Sequence, residues 1–126
     1  MRAIDTNVLV RLLARDDAAQ VAAAEDFVRG GAWVSHLVLM EAVWVLESVY
    51  EVEPPQIVAA IEMLLDHDTL VLQDAEVVAS SLAIHRRRPK VGFSDCLILE
   101  VARKAGHIPL GTFDRNLAKV AGAAKL

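Results

Sequence analysis

Four short apolar runs, Ala3-Ile4, Ala32-Trp33-Val34, Thr69-Leu70-Val71-Leu72 and Ile108-Pro109-Leu110-Gly111, punctuate this chain, and segments with helical spacing separate them. Strands that alternate with helices are joined by crossovers, which makes them parallel and calls for helices on both faces of the sheet. The pattern predicts an α/β fold with a short parallel sheet covered on both sides.

The helical segments carry their own punctuation. Residues 8–14 read as a short helix with residues 5–7 as its turn. Residues 18–29 form a second, Ala-rich helix stopped by Gly30-Gly31. Ser35 is placed to cap a long helix over 37–50, and Pro54-Pro55 opens another over 56–65. Residues 75–85 are helical. Ser94 is expected to cap a helix that runs to residue 105 and ends at Gly106. Residues 116–120 make a last short helix, and residues 121–124 are expected to be weakly structured. No repeat, linker or low-complexity tract interrupts the chain, so residues 1–126 read as one domain.

A chain of 126 residues can bury a core without disulfides or a structural metal. No apolar stretch approaches the roughly 18–20 residues that span a bilayer, and no secretory signal is read. The single cysteine, Cys96, has no internal partner, which fits a reducing, cytoplasmic setting. The net charge of −4 hides an asymmetry: residues 86–126 hold nine Lys/Arg against three acids, whereas residues 1–85 hold four against fourteen. The basic portion contains Arg86-Arg87-Arg88-Pro89-Lys90 just after His85. Such a run either attracts a polyanion or forms a solvated loop.

Against this frame four acids stand out: Asp5, Glu41, Asp95 and Asp114. With about 3.6 residues per turn, Glu41 shares its helix face with Leu37, Val38, Trp44 and Val45. It is expected on an apolar stripe, although an acid early in a helix also complements the helix dipole. Asp95 shares a face with Ile98, Leu99 and Ala102, opposite Glu100, Arg103 and Lys104, and an Asp is also at home in a first turn. Asp5 and Asp114 each precede a helical segment, and taken singly each is better explained as an ordinary N-cap than as a ligand. What unites them is position, because ligands in open parallel sheets bind beyond the carboxyl ends of the strands.

Carboxylates that converge in one cleft repel each other unless a cation joins them. An all-oxygen donor set suits Mg²⁺ or Mn²⁺. The four histidines, His36, His67, His85 and His107, lack ligand-like spacing, which argues against zinc, and are expected mostly at the surface. Cys96 is expected to pack in the core. A carboxylate-held Mg²⁺ beside a basic run is the chemistry of phosphodiester cleavage, with water as nucleophile. Arg86, Arg87, Arg88 and Lys90 are then candidates to grip an RNA backbone.

The segments Ala3-Ile4-Asp5-Thr6-Asn7-Val8-Leu9, Leu39-Met40-Glu41-Ala42-Val43, Phe93-Ser94-Asp95-Cys96-Leu97-Ile98 and Thr112-Phe113-Asp114-Arg115-Asn116-Leu117 follow in this order. Together they resemble the PIN-domain family, and within it the VapC toxins of bacterial toxin–antitoxin pairs, over nearly the whole chain. The resemblance implies a three-layer α/β/α sandwich and Mg²⁺- or Mn²⁺-dependent endoribonuclease activity. It implies metal-site roles for Asp5, Glu41 and Asp95, a fourth and more variable position at Asp114, and supporting hydrogen bonds from Asn7 and Thr112. It also implies a homodimer and a cognate VapB-like antitoxin. Ser94 departs mildly from the family pattern, where a small apolar residue is common. The chain's abundance of apolar helix face favours dimerisation as well.

Two other classes compete. A haloacid-dehalogenase-like phosphatase also places an Asp after its first strand, but wants a second acid two residues on, where this chain has Asn7. A PIN-like RNA-binding or RNA-processing protein outside a toxin–antitoxin pair is the other; one that had lost catalysis would not need all four acids. A receiver-like signalling domain wants paired acids after the first strand, and only Asp5 is there.

Overall fold

The computed structural model describes residues 1–126, which group into two compact units, Met1–Ala75 and Glu76–Leu126.

The first unit contains β1 (Arg2–Ala3), α1 (Thr6–Ala14), α2 (Ala18–Val28), β2 (Ala32–Val34), α3 (His36–Ser48), α4 (Pro54–Leu65) and β3 (Leu70–Leu72). Its strands form a parallel sheet in the order β1-β2-β3, with Arg2 opposite Ala32 and Trp33 opposite Val71. Each connection is a crossover through helices, as parallel pairing requires. The punctuation works as read: Ser35 Oγ accepts from Val38 N at 3.1 Å, and α4 starts on Pro54. Gly31 ends the α2 turn with a φ of +102°, a conformation glycine adopts at little cost.

Side-chain alternation divides the sheet. Ala32, Val34, Leu70 and Leu72 are buried, with Leu9, Leu39, Ala42, Ile57 and Ile61 among the fully buried side chains. The opposite sheet face carries Trp33 and Val71, which stay 38% and 45% exposed.

The second unit holds α5 (beginning at the boundary, Ala75–Arg87), α6 (Phe93–Lys104), β4 (Leu110–Thr112), a 3-10 helix (Leu117–Lys119) and β5 (Ala123–Lys125). Its core joins Ile84, Val91, Cys96, Leu99, Leu117 and Val120. Two expectations fail here. The tail expected to be weakly structured forms β5, parallel to β4, with Leu110 opposite Ala123 and Thr112 opposite Lys125. Gly122 turns the chain into that strand at φ +97°, and the Arg103 guanidinium lies 2.8 Å from where a Cβ would stand. Ser94 is not the cap of α6: the helix starts one residue earlier, and Gly92 occupies the cap position without a side-chain bond. Short parallel strands and six helices make this an α/β chain.

Candidate functional site

The four acids divide between the units, two in each. In the first, β1 delivers the chain to Asp5, whose extended backbone starts α1. Asp5 Oδ1 accepts from Val8 N at 3.1 Å, so the residue is a genuine N-cap. One carboxylate oxygen is committed to the helix, which fixes the side chain's orientation and leaves the other oxygen available. Asp5 and Asn7 both line a cavity of about 390 Å³ that also takes in Val8, Arg11, Gln20 and Phe27.

Arg11 is the residue that sequence reasoning missed in this cavity. Its guanidinium donates to Tyr50 Oη at 3.0 Å and to Asp16 at 3.2 Å, and Tyr50 in turn donates to Asp16 at 2.7 Å. The Tyr50 hydrogen bond lowers the Asp16 pKa. Asn7 and Arg11 stand four apart on α1, so helical spacing offered the signal.

Glu41 lies in the second turn of α3 and is exposed, not held against the core. Its face does carry apolar neighbours, but Leu37 is 80% exposed and Trp44 62% exposed. The buried face of α3 is Leu39, Ala42, Val43 and Leu46. A helix apolar on nearly every side has no single stripe that periodicity can assign to the core. The expectation that Glu41 projects from a buried stripe is corrected accordingly.

In the second unit, Asp95 sits half-buried in the first turn of α6. Burial, and after it the charge of Asp114, push the Asp95 carboxyl above its ordinary pKa of 3.8. Asp114 is exposed, and its Oδ1 accepts from Leu117 N at 2.8 Å at the start of the 3-10 helix. Thr112 Oγ1 accepts from Asp114 N at 3.0 Å, so Thr112 holds the turn that presents Asp114. Within unit 2, Thr112 thus holds the turn of Asp114, and the Asp114 charge acts on Asp95.

The donors this pair offers are oxygens. Cys96, beside Asp95, is fully buried and its thiol is pushed up to about 11 by burial, which removes it as a nucleophile or soft ligand near neutral pH. Carboxylate and hydroxyl oxygens of this kind fit a hard divalent cation. In neither unit do three or more acidic, His or Cys side chains gather closely enough to hold a metal ion by themselves.

The basic run is also relocated. Arg86 and Arg87 belong to the last turn of α5, and only Arg88, Pro89 and Lys90 lie in the loop beyond it. His85, expected with the surface histidines, is 5% exposed, and its Nδ1 donates to Val91 O at 2.7 Å. A buried imidazole whose hydrogen bond spans the loop is an anchor for it.

A family model described as PIN domain matches residues 3–123. No curated protein and no solved structure matches the chain.

Proposed function

This chain belongs to the PIN-domain family, whose α/β sandwich is a metal-dependent nuclease fold, and from that premise we propose that it is an Mg²⁺- or Mn²⁺-dependent endoribonuclease. We read residues 1–126 as a single PIN-like domain, since the family match runs through both compact units. Asp5, Glu41, Asp95 and Asp114 are proposed as the acidic residues of its active site, with Asn7 and Thr112 in support.

The observation that carries this reading is the Asp95–Asp114 pair. A half-buried carboxylate made less acidic by burial and by a second carboxylate is a poor structural choice and a good cation seat. Asp5 and Asp114 each hold one oxygen on a helix N–H, which restricts rotation and leaves the second oxygen to face a ligand. Asp95 projects from the first turn of a helix whose other side is core. A divalent ion held there would supply the positive charge that stabilises a phosphodiester under attack and would make water a competent nucleophile. No side-chain nucleophile is needed, and the inert Cys96 is consistent with that.

The same reading makes the chain the toxin of a VapBC-type pair, active in the cytoplasm as a homodimer and restrained by a VapB-like antitoxin. No helix is long and apolar enough to cross a membrane. The exposed Leu37 and Trp44 on α3 supply an apolar face for a second copy.

The test is cleavage of a labelled single-stranded RNA by purified protein with Mg²⁺, with Mn²⁺ and with EDTA, beside Asp95→Asn. Metal-dependent cleavage by the wild type alone is the expected result. Cleavage that persists in EDTA or in the variant overturns the assignment. Growth arrest on induction, relieved by a small protein encoded next to this one, would establish the toxin role separately.

A further inference from the structure

A cavity of about 310 Å³ lies between the α5–α6 loop and the 3-10 helix, wholly within the second unit. Arg87, Arg88, Lys90 and Lys119 line it, together with Pro89, Val91 and Asn116. None of its lining residues is acidic, and no ion pair engages any of the four cations. Like charges gathered round a concavity raise the local positive potential, which favours an anion there.

One bland account is available for part of this. Cations in the last turn of a helix complement its dipole, and Arg87 is so placed on α5. It does not extend to Lys119, which comes from a separate element some thirty residues later, or to Lys90 beyond the helix end. The loop is also pinned. Arg88 N donates to Ile84 O at 2.9 Å, Val91 N to Arg88 O at 2.9 Å, and the buried His85 Nδ1 to Val91 O at 2.7 Å. On the other wall, Asp114 caps the turn that carries Asn116 and Lys119. The backbone bearing the cations is thereby ordered before any ligand arrives, which lowers the entropic cost of binding.

We propose that this cavity is a phosphate-binding subsite for the backbone of single-stranded RNA, formed by Arg87, Arg88, Lys90 and Lys119 with Asn116 as a neutral donor. It rests on the reading of the chain as an RNA nuclease and adds a place for the substrate's phosphates. Both walls lead along the chain into the acidic pair: Lys90 precedes Asp95 by five residues, and Asp114 immediately precedes the turn with Asn116 and Lys119. A strand gripped here is positioned by cations next to carboxylates that would otherwise repel it. Arg86 does not line the cavity and is not part of the subsite.

The test is binding of a fluorescein-labelled single-stranded RNA to intact protein in EDTA, followed by anisotropy over a range of salt. Without metal the measurement reads the subsite alone, so it stands whether or not the protein proves to be a nuclease. Arg88→Gln and Lys119→Gln should each weaken binding about fivefold near 0.1 M salt and reduce the slope of log affinity against log salt by about 0.7. Arg29→Gln, an equal change of charge at a residue paired with Asp26, should leave the slope unaltered. Free inorganic phosphate should compete weakly with the RNA in the wild type and not in the double variant. The proposal is overturned if all three variants flatten the slope equally, if Arg88→Gln and Lys119→Gln keep the wild-type slope, or if the wild type binds an acidic peptide but no RNA.

Discussion

Asp114 makes Asp95 harder to ionise. Burial raises the Asp95 pKa first, and the Asp114 charge raises it further. A carboxyl whose pKa is higher folded than unfolded favours the folded state fully below the unfolded value. That contribution is lost as pH rises through the folded value. At neutral pH the ionised pair therefore works against the metal-free fold. Asp95→Asn should leave the metal-free protein at least as stable as wild type near pH 7. Its advantage should shrink as the buffer is taken down towards the ordinary carboxyl range. Thermal melts in EDTA across that range check it, and a variant that melts lower at neutral pH would refute the repulsion.

The same variant should lose the stabilisation that a divalent ion provides. A ligand that binds only the folded state raises the melting temperature, by an amount that grows with the logarithm of its concentration once that exceeds the dissociation constant. Adding Mg²⁺ or Mn²⁺ should shift the wild type upward and Asp95→Asn much less. Equal shifts in the two proteins would remove Asp95 from the metal site whatever the cleavage assay shows.

Asp114 has two roles that substitution can separate. Its Oδ1 holds Leu117 N at the start of the 3-10 helix, and its charge acts on Asp95. Asp114→Asn keeps an acceptor oxygen, so it should retain the cap and lose only the charge. Asp114→Ala loses both and should cost about 1 kcal/mol relative to Asn. Urea titration of the two variants reads the cap, while their divalent-dependent melting shifts read the charge. Identical denaturation midpoints would mean that the hydrogen bond contributes nothing.

The elements legible in the sequence were those with local punctuation. Ala32–Val34 was read without error because Gly30-Gly31 stops the helix before it and Ser35 caps the one after. Ala123–Lys125 was missed because Ala, Gly and Lys have little intrinsic preference for strand; its conformation comes from main-chain pairing with Leu110–Thr112. His85 looked like part of a solvated basic run, and only the fold reveals that its ring closes the loop from inside. At the site, the motif order singled out the four acids and Thr112 as candidates. The exposure of Glu41 was not legible, because α3 is apolar on more than one face and periodicity cannot choose between them. Nor was Lys119, which reaches the basic cavity only through tertiary structure.

His85 should matter to stability more than a surface histidine does. Its ring is buried and its Nδ1–H satisfies Val91 O. His85→Ala leaves a void and a carbonyl with only the weak Cys96 thiol donor at 3.9 Å, together worth roughly 2–4 kcal/mol. Chemical denaturation should show that loss. Because the hydrogen bond also pins the basic loop, RNA binding in EDTA should weaken in the variant even where it remains folded. A loss below about 0.5 kcal/mol would mean that the loop is held by its backbone bonds alone.

Leu37 and Trp44 supply the test of the proposed homodimer. They are 80% and 62% exposed on one face of α3, and large apolar groups so presented are costly to leave in water. If a second copy covers them, Trp44 should behave as an anchor residue, and Trp44→Ala should cost about 2 kcal/mol or more in association. That is roughly a thirtyfold rise in the dimer dissociation constant. Leu37→Glu should act in the same direction by placing a charge in an apolar contact. Glu41 lies between them on the helix and is exposed. A contact that sealed it off would strand a carboxylate, so the proposed interface has to leave Glu41 open to solvent or to a cation. Glu41→Gln should therefore leave the dimer constant nearly unchanged while reducing metal-dependent cleavage. Sedimentation of the three variants distinguishes the outcomes. Trp44→Ala and Leu37→Glu proteins that sediment as the wild type would show that this face is not where two copies meet.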